Sequence, residues 1–271
     1  MGQLMKNILL TIEYDGTLFS GWQRQPEKRT VQGELERVLG IVCRCPVQLN
    51  GTSRTDAGVH ALGQRASFKG DFGIPTDRLM LAANNILAGG MNAVGKAGDL
   101  RILSAEEVPE DFHARFDAKG KKYVYKILNC QETQIFRRNQ YYQVRKELNA
   151  DAMRRAAGYI TGTHDFKCFQ SAGGQEKKTT VRTVYELNII EGKTEAGQRT
   201  LSIEIKGDGF LYNMVRIITG TLVEVGLGKL SPEALPDILK SGQRQKAGHT
   251  APPQGLYLSK VYYDLEDLAG L

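Results

Sequence analysis

The sequence predicts an α+β protein built from two sheet-based halves, with mainly antiparallel strands and flanking helices. Three observations carry this. Segments of alternating apolar residues are interleaved with segments of helical period along the whole chain. Several strand-like segments look hairpin-connected, with Gly-containing turns between them. The 271 residues also exceed the roughly 150 that one domain usually takes. The junction is expected near Pro109, inside "SAEEVPEDFHARF", which gives halves of residues 1–108 and 109–271.

The elements follow in order. "ILLTIEY" alternates Ile8, Leu10, Ile12 and Tyr14 and reads as a strand with one buried face. "TVQGELERVLG" sets Val31, Leu35, Val38 and Leu39 on one helical stripe, with Thr30 as N-cap and Gly40 as its stop. "VQLNG" is a short strand entering the segment "GTSRTDAGVHALGQ", and "LGQRASFKG" is the strand leaving it. "TDRLMLAANNIL" has helical spacing and is expected to be capped by Thr76. "DLRILSAEEVP" closes the first half as a strand. In the second half "KKYVYKILN" is a strand and "NADAMRRAAGYI" a helix capped by Asn149. "VRTVYELNIIEG" and "RTLSIEIKGDG" are consecutive strands. "FLYNMVRIITGTLVEVGLG" carries an apolar stripe of Leu211, Val215, Ile218, Leu222 and Val225. "SPEALPDILKSG" opens with Ser231 as N-cap and Pro232 at the first helical position, and "GLYLSKVYYDL" is a last strand.

Composition narrows the function. Hydrophobic residues make up 41% of the chain, enough for a packed core. No apolar run approaches the ~20 residues of a membrane span, and a soluble cytoplasmic protein is expected. The four cysteines, Cys43, Cys45, Cys130 and Cys168, form no C-x-x-C unit, and nothing near His164 and Cys168 completes a tetrahedral set. No metal site is therefore expected, and the cysteines read as reduced thiols. Neither G-x-G-x-x-G nor G-x-x-x-x-G-K-[ST] is present, so no nucleotide cofactor is expected either. The net charge of +6 and an isoelectric point near 9.0 favour a polyanionic partner. "KGKKYVYK" and "RRNQYYQVRK" interleave basic residues with tyrosines. Basic groups pair with phosphates and aromatics stack on unpaired bases, although lysine-decorated strands account for the same pattern.

The segment Gly51–Gln64 holds the strongest chemical signal. Arg54 and Asp56 stand two residues apart between Gly51 and Gly58. A carboxylate that is not deeply buried is ionised near neutral pH, and a neighbouring arginine can hold it so through a charge-assisted hydrogen bond. An oriented aspartate serves as nucleophile or general base, whereas an Asx turn explains the same residues without any chemistry. A two-carboxylate glycosidase would need a second acid, and the sequence nominates none. A non-catalytic RNA-binding protein also fits the basic aromatic strands.

"SRTDAGVHALGQ" closely resembles the active-site motif of the tRNA pseudouridine synthase A (TruA) family. "YDGTLFSGWQRQ", "FHARFDA", "KKYVYKI", "GTHDFKCF", "GDGFLYNMVRIITGTLVEVG" and "APPQGLYL" resemble further segments of that family, in the same order and over nearly the whole chain. Any one match is weak, but the ordered set is specific. The resemblance implies the pseudouridine synthase fold, with the two halves meeting at a central RNA-binding cleft. It implies isomerisation of uridine to pseudouridine in the tRNA anticodon stem-loop, at positions 38, 39 and 40, with no redox change and no hydrolysis. It assigns the catalytic aspartate to Asp56, the neighbouring arginine to Arg54, the active-site tyrosine to Tyr123 and a helix-borne arginine to Arg216. A homodimer is implied as well. Family members often carry glycine where Ser53 stands. On pattern alone Tyr123 reads as strand packing and Arg216 as a solvated helix edge, and the resemblance raises both. His60 reads as structural, and Trp22 as a core anchor rather than a stacking platform.

Overall fold

A computed structural model describes residues 5–89, 98–173 and 179–269. By internal contacts the chain divides into two compact units, Met1–Ala118 with Leu258–Tyr263, and Lys119–Tyr257 with Asp264–Leu271. The division falls beyond the junction expected at residues 108 and 109, and the first unit includes a piece of the C-terminal segment. Side-chain tethers explain the difference. Asn7 Nδ2 donates to the carbonyls of Pro109 and Phe112, each at 2.8 Å. The Ser67 hydroxyl accepts the Ala114 N–H at 3.1 Å. Such long-range bonds hold residues after 108 to the first unit and leave no periodic trace in the sequence.

The first unit is centred on β1 (Lys6–Tyr14), which is antiparallel to both β3 (His60–Gly70) and β4 (Leu100–Glu107). Ile8, Leu10, Ile12 and Tyr14 are buried as their alternation predicts, and Leu9 on the opposite face is buried too. β2 is only Asn50–Gly51, paired with β3. The first helix, α1 (Val31–Cys43), begins at Thr30, whose hydroxyl accepts the Gly33 N–H at 3.3 Å. Gly40 does not stop it. The helix runs on to Cys43 and ends at Arg44, which adopts a left-handed φ of 56°. A glycine inside a helix costs only about 1 kcal/mol, less than burial of Val38, Leu39 and Cys43 on the same helix contributes. α2 (Thr76–Leu87) is preceded by Pro75 as the N-cap. Thr76 is its first residue instead of its cap, and the Thr76 hydroxyl donates to Glu107 Oε1 at 2.6 Å. α2 packs on α1 and on β4.

In the second unit β5 (Gly120–Leu128) is antiparallel to β9 (Arg199–Gly207). β9 pairs in turn with β8 (Val181–Lys193), and β8 with β7 (Gly162–Asp165). β6 (Tyr142–Gln143) adds a short parallel pair with β5 that the sequence reading does not anticipate. α3 (Ala150–Ile160) starts at Asn149, whose side chain accepts the Ala152 N–H at 3.0 Å. α4 (Met214–Gly226) buries Val215, Ile218, Leu222 and Val225 of the expected stripe, whereas Leu211 is buried ahead of the helix; Ile217, Thr219, Thr221 and Val223 are buried too, so most of its circumference is covered. It packs against α3 and β5, and α3 packs against β8. α5 (Leu235–Ser241) follows a 3-10 turn at Pro232–Ala234 capped by Ser231. The last strand, β10 (Leu256–Tyr262), belongs to the first unit from Leu258 onward, and α6 (Leu265–Ala269) belongs to the second.

Candidate active site

The segment between β2 and β3 holds Thr52, Ser53, Arg54, Thr55 and Asp56. Ser53 and Thr55 are buried, Arg54 is exposed and Asp56 is half-buried. Thr52, Ser53 and Thr55 root the segment, while Arg54 and Asp56 are less buried.

The rooting is specific. Gln64, wholly buried on β3, donates through Nε2 to the Ser53 carbonyl at 2.7 Å and accepts the Ser53 N–H at 3.3 Å. The Thr55 carbonyl accepts the Trp22 N–H at 3.0 Å, and the Thr55 hydroxyl lies 2.6 Å from that of Tyr14. The Thr52 hydroxyl lies 2.9 Å from the Arg65 carbonyl and 3.0 Å from that of Ala114. After Asp56 the chain turns, with Gly58 at φ 79° and the Val59 N–H donating to the Asp56 carbonyl at 3.1 Å. Two glycines permit this packing. Gly21 has a φ of 89°, and a Cβ there would lie 2.7 Å from the Thr55 carbonyl oxygen. A Cβ on Gly51 would lie 2.4 Å from the Trp22 ring. Trp22 is only 2% exposed and anchors the loop as expected. His60, also buried, accepts the Gly16 N–H at Nδ1 at 3.0 Å, a structural role.

The expected pairing of Arg54 with Asp56 is absent. Among the described residues Arg54 makes no hydrogen bond and no ion pair. Arg54 is exposed to solvent. The role of partner to the carboxylate is therefore not one that Arg54 fills in this structure.

Tyr123 and Arg216 lie in the second unit, Arg54 and Asp56 in the first. Tyr123 stands on β5 opposite Ile205, 8% exposed, with its ring edge-on to Phe210 at 5.3 Å between centroids. Arg216, in the first turn of α4, is half-buried. Its Nε donates to the Ala251 carbonyl at 2.8 Å and its Nη1 to Asn213 Oδ1 at 3.0 Å. The Ala251 N–H donates back to the Arg216 carbonyl at 3.0 Å. Arg216 is thus a tethered side chain and not the solvated helix edge that its pattern alone suggests. Tyr125, two residues beyond Tyr123, is buried and donates to the Pro252 carbonyl at 2.6 Å, and burial pushes its phenol far up.

The sequence reading missed Gln64, Tyr14 and Gly21 as supports of the loop. Gln64 left one signal. It is a polar residue on the same row of β3 as the buried Ala66 and Phe68, and a buried amide must find partners. Among the described residues no group of three or more His, Cys, Asp or Glu side chains is placed to hold a metal ion. No described helix is long and apolar enough to cross a membrane.

Comparison with known proteins defines the class of protein to which this α+β chain belongs. Residues 156–264 match the family described as tRNA pseudouridine synthase. The chain is 47% identical to tRNA pseudouridine synthase A of Acetivibrio thermocellus over 259 residues, covering 96% of this chain and 100% of that protein. It is 48% identical to tRNA pseudouridine synthase A of Ruminiclostridium cellulolyticum over 259 residues, with the same coverage. With tRNA pseudouridine synthase A 2 of Clostridium tetani it shares 45% identity over 263 residues, again 96% of this chain and 100% of that one. The chain belongs to the tRNA pseudouridine synthase A family, a family of isomerases.

Proposed function

We propose that this chain isomerises uridine to pseudouridine in the anticodon stem-loop of tRNA, at positions 38, 39 and 40, with Asp56 as the reacting carboxylate. The presentation of Asp56 carries this reading. Its loop is fixed from beneath by Gln64, Trp22 and Tyr14, and such fixing is what orients a carboxylate for attack.

Two routes fit one carboxylate. In the first, Asp56 attacks ribose C1′ and the bond to uracil N1 breaks, leaving a ribosyl ester and a uracil anion. The uracil turns, C5 attacks C1′, the carboxylate leaves, C5 loses its proton and N1 gains one. In the second, Asp56 takes the C2′ proton and uracil departs with the C1′–N1 electrons, leaving a C1′–C2′ double bond. C5 then adds to C1′, C2′ regains its proton from Asp56, C5 loses its proton and N1 gains one. On both routes Asp56 ends as it began and the substrate mass is unchanged.

A target base must first leave its stack, at a cost of a few kcal/mol. Arg54, exposed and without a protein partner among the described residues, is suited to fill the vacated space. Tyr123 stacks on the flipped uracil and its phenol moves the C5 proton, and Arg216, held by Ala251 and Asn213, binds the substrate. The enzyme works in the cytoplasm as a homodimer, which doubles the +6 charge available to the RNA. Asp56→Asn is the deciding experiment. It should abolish pseudouridine in treated tRNA while leaving tRNA binding largely intact. Turnover near wild type would remove Asp56 from the mechanism, and free uracil would mark a glycosidase instead.

A further inference from the structure

The two basic aromatic segments of the sequence come together in the second unit, on the side of β5 where β6 pairs with it. Ile127 and Tyr142 are register partners. The Lys126 ammonium lies 5.9 Å from the centre of the Tyr141 ring, and the Arg137 guanidinium lies 5.9 Å from the same ring. Beside them the chain makes a 3-10 turn, Ile135–Arg137. At this turn Phe136 is 97% exposed and Ile135 64% exposed. The turn is braced, because Arg138 Nη1 donates to the Ile135 carbonyl at 2.6 Å. Arg137 Nη2 lies 3.2 Å from the exposed carboxylate of Glu195. Among the described residues neither Arg138 nor Arg145 has an acidic partner, and both are exposed.

A phenylalanine 97% exposed on a braced turn, followed in the chain by Arg137 and Arg138, calls for a partner with both a flat apolar face and negative charge. Phe136 and Ile135 alone fall well short of the about 800 Å² per partner that a stable interface between copies takes. An unpaired base in a phosphodiester chain matches in size and in sign. We propose that the Ile135–Arg138 knuckle is an RNA contact of its own. Phe136 stacks on an unpaired nucleotide, and Arg137, Arg138 and Arg145 take the flanking phosphates. This rests on the reading of tRNA as the substrate and adds a contact that takes no part in the chemistry.

The test uses the full chain and radiolabelled tRNA in a filter-binding titration across salt concentrations. Phe136→Ala should weaken binding at least about fivefold, as loss of one stacked base does. Arg137→Gln with Arg138→Gln should lower the slope of log K against log salt by about two, one for each phosphate contact. Circular dichroism spectra matching wild type establish that the variants are folded. Phe136→Leu separates stacking from mere apolar contact, and it should behave like the alanine variant. Unchanged tRNA affinity and salt slope would overturn the proposal. So would a halved mass by light scattering in Phe136→Ala, which would assign the knuckle to an interface between copies. If wild type binds tRNA but forms no pseudouridine, the functional reading fails while the knuckle test can still be read.

Discussion

Gln64 grips both backbone polar groups of Ser53, with its Nε2 2.7 Å from the carbonyl and its Oε1 3.3 Å from the N–H nitrogen. One wholly buried amide thereby fixes the start of the loop that ends in Asp56. Gln64→Leu keeps the approximate volume and strands both groups away from water. Each buried polar group left unpaired costs about 1–3 kcal/mol. The variant should lose about 2 kcal/mol or more of stability in urea denaturation, and its kcat should fall further than its tRNA affinity. A variant as stable and active as wild type would show that the loop holds its shape without the grip.

Ser53 presents the opposite case. Its hydroxyl is buried and has no hydrogen-bond partner among the described residues. Removing an unsatisfied buried polar group is neutral or favourable. Ser53→Ala should therefore unfold at the same denaturant concentration as wild type or a higher one. A loss of more than about 1.5 kcal/mol, the scale of a satisfied hydrogen bond, would reveal a partner for the hydroxyl.

Arg54 is exposed and makes no hydrogen bond or ion pair among the described residues, so its removal is expected to act on RNA and not on the fold. Arg54→Ala should stay within about 0.5 kcal/mol of wild-type stability, as exposed substitutions do. Its rate should fall more for a uridine paired inside a stem than for one already unpaired, because only the first must be unstacked. Comparing single-turnover rates on the two substrates decides it, and equal losses on both would argue against a role in holding the stack open.

Cys43 and Cys168 are buried, and burial pushes each thiol up to about 11. The thiolate is the reactive form. At pH 8 an aromatic disulfide reagent should reach the half-buried Cys45 and Cys130 first, and all four cysteines only after unfolding. The folded state favours the neutral thiols. The stability they contribute is thus fully present below about pH 8.5, the thiol range of an unfolded chain, and is lost as pH climbs through about 11. Rapid labelling of Cys168 in the native protein would contradict the buried position.

Much of this protein was settled by its sequence alone, because the forces concerned are local. The alternation of Ile8, Leu10, Ile12 and Tyr14 marked β1, and Thr30 and Asn149 marked the starts of α1 and α3, since a cap needs only a side chain and an N–H a few residues on. The pairing of Arg54 and Asp56 between glycines marked the loop for attention, and the ordered motifs marked the family. Long-range packing decided the rest. α1 runs past Gly40 because the neighbouring apolar side chains are buried. The first unit extends to Ala118 because Asn7 and Ser67 bond to residues after 108. Arg54 stands apart from Asp56, and Arg216 is tied to Ala251 thirty-five residues away. Gln64 reaches Ser53 across eleven residues. Such bonds depend on which buried donor meets which buried acceptor once strands are in register, and no local pattern in a sequence encodes that meeting.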